Sequence, residues 1–545
     1  MFRGRFQSFY RYMQQPLSAI QQLRLAPAAH LQPLTTRSAS LEQQIFQHQL
    51  AEKTTEDEWA NAKEYKEIPG PSSIGLMMDF MPGGKLYGAN FLKMYNTLRQ
   101  RHGDIFVISG SFGRSDLICT YNPIDFEKVF RTEGVWPIRK GIESIRYYRE
   151  VENPDAYGGV FGLVGEQGER WFNIRQKVNP IMMKIQNIRE VLPEIDTISM
   201  EFVDKITDMR DTETGLLNTD LLTELRMWSF ESICYVTLNS RLHLITGKAD
   251  AAALRMSDAM SEFMQYTYDH DIAPSIWRYY QTSSFKRLMR LHDELTEITR
   301  KFVDTALQRI EADDNKAARK SVFEKLLSLD RNIAVVMAID MLFGGLDTTS
   351  STVITALYFL AKNPDKQDIL REELRTLLPH HKSPLNAQNY NNLPYLRACI
   401  KESMRIMPIV SGTMRQTGRD LVLSGYKVPK GTAVHMRNME LCNSEMFFPR
   451  CNEYLPERWL KTPKNVSNPV EEVKSQNPFV YLPFGFGPRT CIGKRLADLE
   501  MEVLLARLLR KYKISWTDEQ NEMQYKSNLI LTPCGEMKFK FEEVQ

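Results

Sequence analysis

Apolar residues fill almost every position from 333 to 361. A helix that is apolar on all sides is buried in a protein core. Asp330 stands where a side-chain oxygen can cap a helix, and Asn363-Pro364 ends the run because proline cannot continue it. Two acids inside the run, Asp340 and Asp347, disfavour a membrane span. The pattern predicts one buried helix of about 45 Å that crosses a large domain.

Helical spacing of apolar residues also covers most of 186–312, with a break near 269–275. Two short runs rich in β-branched residues, 105–108 and 117–120, are typical of strands. A proline-rich turn at 68–71 precedes them. The whole pattern predicts a mainly α protein with a minor β portion.

A glycine-rich segment follows much later, where 484–493 has the sequence FGFGPRTCIG. Its glycines and proline interrupt regular structure, and helical spacing of apolar residues begins after it, over 496–506. Cys491 therefore stands just ahead of a helix N-terminus, where the helix dipole favours an anion and lowers the pKa of a thiol. A lone cysteine in a turn is more often a plain buried thiol, so the segment alone leaves both interpretations open.

The composition is that of an ordinary globular protein, with 43% hydrophobic and 25% charged residues among 545. The net charge of +3 is too small to favour a nucleic-acid partner. Seven scattered cysteines without a CxxC pair argue against a disulfide scaffold. The composition therefore favours a reducing compartment.

The N-terminus differs from the rest, because residues 1–41 carry arginines and no acid, the first being Glu42. Apolar residues at helical spacing beside those arginines are typical of a mitochondrial targeting sequence, and a basic disordered tail is the alternative. We predict a presequence at 1–40 and a polar linker at 41–67. No run of about eighteen apolar residues occurs there, which argues against an N-terminal membrane anchor.

The glycine-rich segment resembles the haem-binding signature of cytochromes P450, which it matches at Phe484, Gly487, Arg489, Cys491 and Gly493. The resemblance implies the P450 fold over 68–545, with haem b between the central helix and the cysteine loop. Cys491 would be the thiolate ligand of the iron, which favours O–O cleavage. Phe484, Arg489 and Gly493 would complete the haem site.

Further upstream, Trp171 and Arg175 lie one helical turn apart and resemble the pair that hydrogen-bonds the haem propionates in this family. The resemblance also places Arg415 on a propionate. Within the predicted central helix, Asp347 and Thr348 match the oxygen-activation motif. Small residues there would let the helix bulge, and an acid beside an alcohol can relay protons.

Glu402 and Arg405 form a Glu-x-x-Arg pair, and Arg458 lies in a Pro-Glu-Arg-Trp segment. In P450s such residues form a Glu-Arg-Arg triad with a structural role. Just ahead of this pair, Arg397 and Lys401 lie one turn apart, as in mitochondrial P450s that bind an acidic ferredoxin there. A solvated helix face is the alternative for these two cations.

Together these features identify the chain as a member of the mitochondrial P450s, most similar to insect ones. The resemblance implies monooxygenation of a lipophilic substrate by O₂, either a xenobiotic or a steroid-like molecule. Electrons would come from NADPH through a reductase and an adrenodoxin-like [2Fe–2S] ferredoxin, on the matrix side of the inner mitochondrial membrane. A haem-thiolate isomerase and a non-enzymatic haem sensor or carrier are the two other classes.

Overall fold

A 32-residue helix, Arg331–Lys362, passes through the core, and most other elements pack around it. The coordinates are a computed structural model that describes residues 57–111, 113–139, 141–312, 321–461, 477–518, 520–527 and 529–544. The chain divides into two compact units at Ala62. Of the first unit the structure describes 57–62, which are helical over 57–61. The predicted presequence and residues 41–56 of the predicted linker lie outside the described residues.

The second unit is mainly helical, as the sequence predicts. Its α-helices are α1 (Ser73–Phe80), α2 (Phe91–His102), α3 (Pro123–Thr132), α4 (Glu143–Tyr147), α5 (Gly162–Gly165), α6 (Gly168–Met182), α7 (Ile185–Arg189), α8 (Leu192–Met209), α9 (Leu221–Leu238), α10 (Ala251–Thr267), α11 (Ser283–Ala312), α12 (Val322–Leu327), α13 (Arg331–Lys362), α14 (Pro364–Leu377), α15 (Pro394–Ile406), α16 (Met439–Cys442) and α17 (Lys494–Lys511). Short π-helical segments, Tyr148–Glu152 and Tyr268–Ile272, continue α4 and α10.

The β portion is small. Its strands are β1 (Ile105–Ile108), β2 (Leu117–Thr120), β3 (Thr413–Gln416), β4 (Leu421–Leu423), β5 (Tyr426–Val428), β6 (Ala433–Met436), β7 (Tyr512–Trp516), β8 (Gln524–Ser527), β9 (Leu531–Cys534) and β10 (Phe539–Glu543). The largest sheet has the order β1-β2-β6-β3, in which β2 and β6 are parallel and the other pairs antiparallel. The two strands predicted from the sequence are β1 and β2, with the expected bounds.

The central helix α13 begins and ends as its sequence predicts. The Asp330 carboxylate accepts hydrogen bonds from the N–H groups of Asn332 and Ile333, at 2.7 and 3.1 Å, which satisfies two free donors of the first turn. Pro364 opens the next helix. By length and composition α13 could cross a membrane, but most of it is buried inside the protein. It is therefore a core helix, which confirms the prediction.

The described residues form three apolar cores, and two of them support this framework. The larger one surrounds α13 and includes residues of α8, α9, α11, α15 and α17. The smaller one lies against the β1-β2-β6-β3 sheet and α3, where Ile118, Phe126 and Val434 are fully buried. All seven cysteines are free thiols, as expected for a chain without a disulfide scaffold.

The predicted break between the long helices α10 and α11 is present, but its aromatic residues divide into two groups. Trp277 stacks on Phe285 with ring centroids 4.6 Å apart, and both side chains are buried. Tyr279 and Tyr280 are exposed. Of the aromatic residues in this segment, only these two tyrosines are therefore available to a membrane surface.

Candidate active site

The cysteine loop holds its shape through positive backbone angles at Gly485 and Gly487, with φ of 74° and 69°. A Cβ on Gly487 would lie 2.9 Å from the Glu133 carboxylate, and the positive φ would strain any other residue, so glycine is favoured there. The Cys491 N–H donates to the Phe484 carbonyl at 2.9 Å and closes the loop. Helix α17 then starts at Lys494, which places Cys491 just ahead of it as the sequence predicts.

The Cys491 thiol is the exposed one among the seven cysteines, although dense protein surrounds it. Burial raises the pKa of this thiol, while the Gly493 N–H and the Arg175 guanidinium act in the opposite direction. Our expectation of a lowered pKa was therefore wrong for the protein alone, because burial outweighs the neighbouring N–H and guanidinium groups. A coordinating metal ion deprotonates a thiol outright, so bound iron would favour the thiolate form that the loop alone does not favour.

On the central helix, two glycine carbonyls accept side-chain hydroxyls. Thr348 donates to the Gly344 carbonyl at 2.6 Å, and Ser229 of α9 donates to the Gly345 carbonyl at 3.1 Å. Helix α13 remains α-helical through this region, so the expected bulge is absent from 331–362. A Cβ on Gly345 would lie 3.2 Å from Ile233, so the glycine lets α9 and α13 approach closely.

Asp347 is nearly buried and forms an ion pair with Arg226 of α9, whose Nε lies 2.7 Å from Oδ1. Thr348, its neighbour, is partly exposed. The acid and the alcohol are adjacent as predicted, but the acid is held by a cation that the sequence analysis did not find. The pair fixes the carboxylate on the α9 side of the central helix.

Trp171 and Arg175 lie on one buried face of α6, as their spacing predicts. Arg175 donates from Nη2 to the Thr490 carbonyl at 2.7 Å, so it reaches the residue next to Cys491. Its Nε is buried without a partner among the described residues. The Arg489 guanidinium stacks over the Trp171 ring at 4.0 Å. The structure thus brings these three predicted residues together beside the cysteine.

Four arginines gather around this point: Arg139, Arg175, Arg415 and Arg489. Burial, together with repulsion from the other three guanidinium groups, lowers the pKa of Arg489 to about 8. Burial also lowers the pKa of Arg175, to about 10.

Among the residues that the structure describes, one carboxylate contacts this cluster, that of Glu133, which binds Arg415 with 2.5 Å between Oε2 and Nε. Arg415 also donates to the Phe486 carbonyl at 3.1 Å. Four guanidinium groups therefore meet one acid, an excess of positive charge with an unsatisfied buried donor. The two propionates of haem fit this excess in charge and in hydrogen-bonding chemistry. Arg139 and Glu133 were missed by the sequence analysis.

Glu402, Arg405 and Arg458 meet in one buried network. Arg405 donates from Nε and Nη2 to both Glu402 oxygens, at 3.0 and 2.9 Å, and the two side chains are fully buried. Arg458 adds a bond of 3.0 Å to Oε1. Trp459 adds one of 2.8 Å to Oε2. The carboxylate is thus shared by two cations and an indole.

Arg397 and Lys401 lie on α15 as predicted, but their surroundings differ. Arg397 forms a two-point ion pair with Glu502 of α17, at 3.0 and 2.9 Å, and also donates to the carbonyls of Tyr390 and Asn391. Lys401 is exposed. We expected two free cations on an exposed helix. Arg397 is instead held in place by Glu502 of α17, a partner 105 residues away in sequence.

Glu500 is a further residue that the sequence analysis missed. It is buried between α17 and α13, where the neighbouring Thr349 hydroxyl bonds to it, and its Oε1 has no partner among the described residues. Burial raises its pKa from 4.5 to about 8. With a pKa of about 8 the side chain is mostly protonated at pH 7, and its partner Thr349 is the residue that follows the predicted catalytic Thr348 on α13.

Comparison with known proteins gives one family. The model of the cytochrome P450 family matches residues 68–541. The probable mitochondrial cytochrome P450 12b2 of Drosophila melanogaster is 48% identical over 92% of this chain and 94% of its own length. Cytochrome P450 CYP12A2 of Musca domestica is 40% identical, over 92% and 95%. A crystal structure of cytochrome P450 CYP102L1 superposes with a TM-score of 0.66 at 19% identity, over 83% of this chain and 94% of the other, which shows a shared fold.

Proposed function

Because the chain belongs to the cytochrome P450 family, and is thus a haem monooxygenase like the insect mitochondrial P450s it resembles, we propose that it oxygenates a lipophilic substrate with electrons from a ferredoxin. The observation that carries the proposal is the Cys491 thiol beside four arginines that face one carboxylate. This is the donor set that a haem with two propionates requires.

We propose that Cys491 would ligate the iron of haem b and that Trp171, Arg175, Arg415 and Arg489 would bind its propionates, with Arg139 as an added cation. When bound, haem with a thiolate ligand supplies the activation of O₂. Phe484 and Gly493 would shape the loop around the ligand. Because Arg415 already binds Glu133, we assign it the weaker propionate contact and Arg175, with its free Nε, the stronger.

The proton-handling residues are Asp347 and Thr348. Thr348 donates its hydroxyl proton to the Gly344 carbonyl in this structure, and rotation of the side chain would free the hydroxyl for the proposed relay. Arg226 keeps Asp347 oriented and compensates its charge. General acid–base groups of this kind contribute factors of about 10² to 10⁴ in rate.

Glu402, Arg405 and Arg458 have a structural role in this proposal. Their network ties α15 to the carbonyls of Cys442 and Cys451, which Arg405 bonds at 2.8 Å each. It is an interior anchor and takes no part in chemistry.

The relatives are named mitochondrial, which supports a mitochondrial location for this chain. We propose that the protein lies on the matrix side of the inner membrane after removal of residues 1–40. Exposed apolar residues support contact with the bilayer surface: Ile74, Met77 and Met78 of α1 are mostly exposed, as are Tyr279 and Tyr280. Such residues bind the headgroup region without spanning the membrane.

The substrate is proposed to be lipophilic, either a xenobiotic or a steroid-like molecule. The support is the apolar run of α13 ahead of Gly344, which includes Val336, Met337 and Ile339 and contains few polar residues. A polar substrate would require hydrogen-bonding partners there.

The electron donor is proposed to be an adrenodoxin-like [2Fe–2S] ferredoxin that docks near Arg397 and Lys401 and is itself reduced by NADPH through a reductase. The test is the absorption spectrum of the reduced, CO-bound protein together with turnover of a panel of lipophiles. We expect a thiolate-type band and product only when ferredoxin and reductase are present. Product without an electron donor would indicate an isomerase, and a normal band without any product would indicate a haem carrier.

A further inference from the structure

Glu133 directly follows the last residue of α3 and is buried, with 7% of its surface exposed. Both features disfavour a charged carboxylate at this position. The C-terminal end of a helix carries partial negative charge, and burial removes the solvation of an anion. Burial accordingly raises the pKa of Glu133, whereas Arg415 and Arg489 act in the opposite direction. An acid is therefore favourable here only because of the neighbouring arginines.

Arg415 is the direct partner of this acid. Glu133 Oε2 lies 2.5 Å from Arg415 Nε, and both side chains are almost completely buried. Arg415 donates from its two other nitrogens to the carbonyls of Met414 and Phe486, at 2.9 and 3.1 Å. All three nitrogens of the guanidinium thus have acceptors within the protein, so the chain itself fixes the orientation of Arg415.

The second carboxylate oxygen of Glu133 lies against the cysteine loop. Oε1 is buried without a hydrogen-bond partner among the described residues, and a Cβ on Gly487 would lie 2.9 Å from it. Hydrogen bonds therefore do not stabilise this oxygen, and the attraction of the nearby guanidinium groups is what remains. Glu133 thus acts on the whole arginine cluster through its charge as well as on Arg415 through contact.

The charge balance of the cluster shows what this acid changes. Arg139, Arg175, Arg415 and Arg489 bring four positive charges together, and Glu133 compensates one of them. Two haem propionates would compensate two more. Without Glu133 the haem-free chain would hold four uncompensated positive charges at this point. The same negative charge that weakens the repulsion among the arginines also weakens their attraction for a propionate.

We propose that Glu133 takes the place of a haem propionate in the haem-free chain, where it stabilises the arginine cluster and thereby lowers the affinity for haem. The inference rests on the proposed haem site and deepens it. Glu133 is a positioning residue, because it acts on haem through the arginines. A purely structural residue would support the haem-free chain and haem binding alike, whereas the proposed role affects them in opposite directions.

The experiment compares the unmodified holoenzyme with Glu133→Gln, which removes the charge at nearly constant volume, and with Glu133→Asp, which keeps it. The control is Asp196→Asn, because Asp196 binds Arg507 in a buried pair that joins α8 to α17 and includes no residue of the cluster.

Three quantities are measured for each protein. The first is the rate at which the holoenzyme loses haem to an excess of apomyoglobin. The second is the unfolding temperature of the haem-free full chain that this transfer leaves. The third is the reduction potential of the bound haem, obtained by spectroelectrochemical titration.

Glu133→Gln should lose haem about tenfold more slowly than the unmodified protein, because the propionates no longer meet a negative charge. Its haem-free chain should unfold at a lower temperature. Its reduction potential should rise, since a nearby anion favours the more positive ferric state. Glu133→Asp should lose haem within about twofold of the unmodified rate. Asp196→Asn should lower the unfolding temperature and leave the rate of haem loss and the potential unchanged.

Faster haem loss by Glu133→Gln would overturn the inference, because it would follow from a damaged site. An unchanged reduction potential in this variant would overturn it as well. If Glu133→Gln does not accumulate, Glu133→Asp decides: an unmodified rate and potential support the role of the charge, and a second failure to accumulate contradicts it.

The CO spectrum of the unmodified protein separates this inference from the proposal on which it rests. If the unmodified protein shows no thiolate-type CO band, the proposed haem site fails, and the role of Glu133 fails with it. A normal band together with the contrary results for the Glu133 variants would overturn the role of Glu133 and leave the haem site intact.

Discussion

Arg226 and Asp347 form an ion pair, with Nε 2.7 Å from Oδ1, that joins α9 to the middle of the central helix. The carboxylate of the proposed acid–alcohol pair is thereby fixed by a residue 121 positions upstream. In the proposed relay, proton delivery therefore depends on α9 as well as on α13.

Replacing Arg226 with Met should slow turnover about tenfold or more, because Asp347 loses both its counter-charge and its fixed orientation. Arg226→Lys keeps the charge and should recover part of the rate. The measurement is steady-state turnover in H₂O and in D₂O, since a proton-transfer defect enlarges the solvent isotope effect. An unchanged isotope effect in Arg226→Met would show that the pair is only structural.

Thr348→Ala should leave haem content and substrate binding nearly intact and divert reducing equivalents to hydrogen peroxide. The reason is that the hydroxyl, which now bonds the Gly344 carbonyl, is the alcohol of the proposed relay. The measurement is product and peroxide formed per NADPH. Thr352→Ala, one turn further along α13, is the control, and equal coupling in the Thr348 and Thr352 variants would contradict the relay.

Cys491→Ser should abolish the thiolate-type CO band, because a serine hydroxyl is far harder to deprotonate than a thiol and is a poor ligand to iron. Cys534→Ser, at a partly exposed cysteine of β9, provides the control and should behave as the unmodified protein. A retained band in Cys491→Ser would exclude Cys491 as the ligand.

Glu402→Ala should destabilise the protein by about 3–5 kcal/mol, since it leaves the buried Arg405 without its counter-ion. Glu127→Ala removes the partner of Arg131 in an exposed pair and should cost no more than about 1 kcal/mol. Thermal and denaturant unfolding of the holoenzymes measures both. Similar losses in the two variants would mean that the interior network contributes no more than a surface pair.

Glu500→Gln should be stabilising at neutral pH and less so in acid. The pKa of Glu500 is raised from 4.5 to about 8 by burial, so its proton favours the folded state below about pH 4.5. That advantage is lost as pH rises toward 8, where the buried acid must ionise. Between these pH values the free energy of unfolding of the unmodified protein falls by about 1.4 kcal/mol per pH unit. The variant has a neutral glutamine at this position and does not show this fall.

The measurement for Glu500→Gln is the unfolding temperature from pH 5.5 to 7.5. The difference between variant and unmodified protein should grow with pH. Glu127→Gln, at an exposed glutamate, should show a constant difference. A constant difference for Glu500→Gln as well would mean that the carboxyl ionises normally in the fold.

The sequence alone predicts those structural features that depend on residues close together in the chain. The cap at Asp330, strands β1 and β2 and the glycine-dependent loop before Cys491 each depend on neighbouring residues, so spacing and residue type predict them. The Glu402–Arg405 pair is likewise three residues apart and is found in the expected geometry.

What the sequence could not predict depends on distant partners. Arg397 and Glu502 are 105 residues apart, and Glu133 and Arg415 are 282 apart, so no periodicity links them. The pKa of Cys491 is another case, because it depends on how much protein surrounds the thiol, which spacing does not reveal. The same holds for Glu500, whose position in helix α17 gives no sign of its burial.

The arginine cluster also has a consequence for the production of the protein. Repulsion among Arg139, Arg175, Arg415 and Arg489 opposes folding, so in the proposed haem site the propionates would compensate it and haem binding would add to the stability of the folded state. The amount of intact protein in a cell should then follow haem supply. Cultures given a haem precursor should accumulate more of it, and chain made under haem shortage should be the preferred target of the mitochondrial proteases.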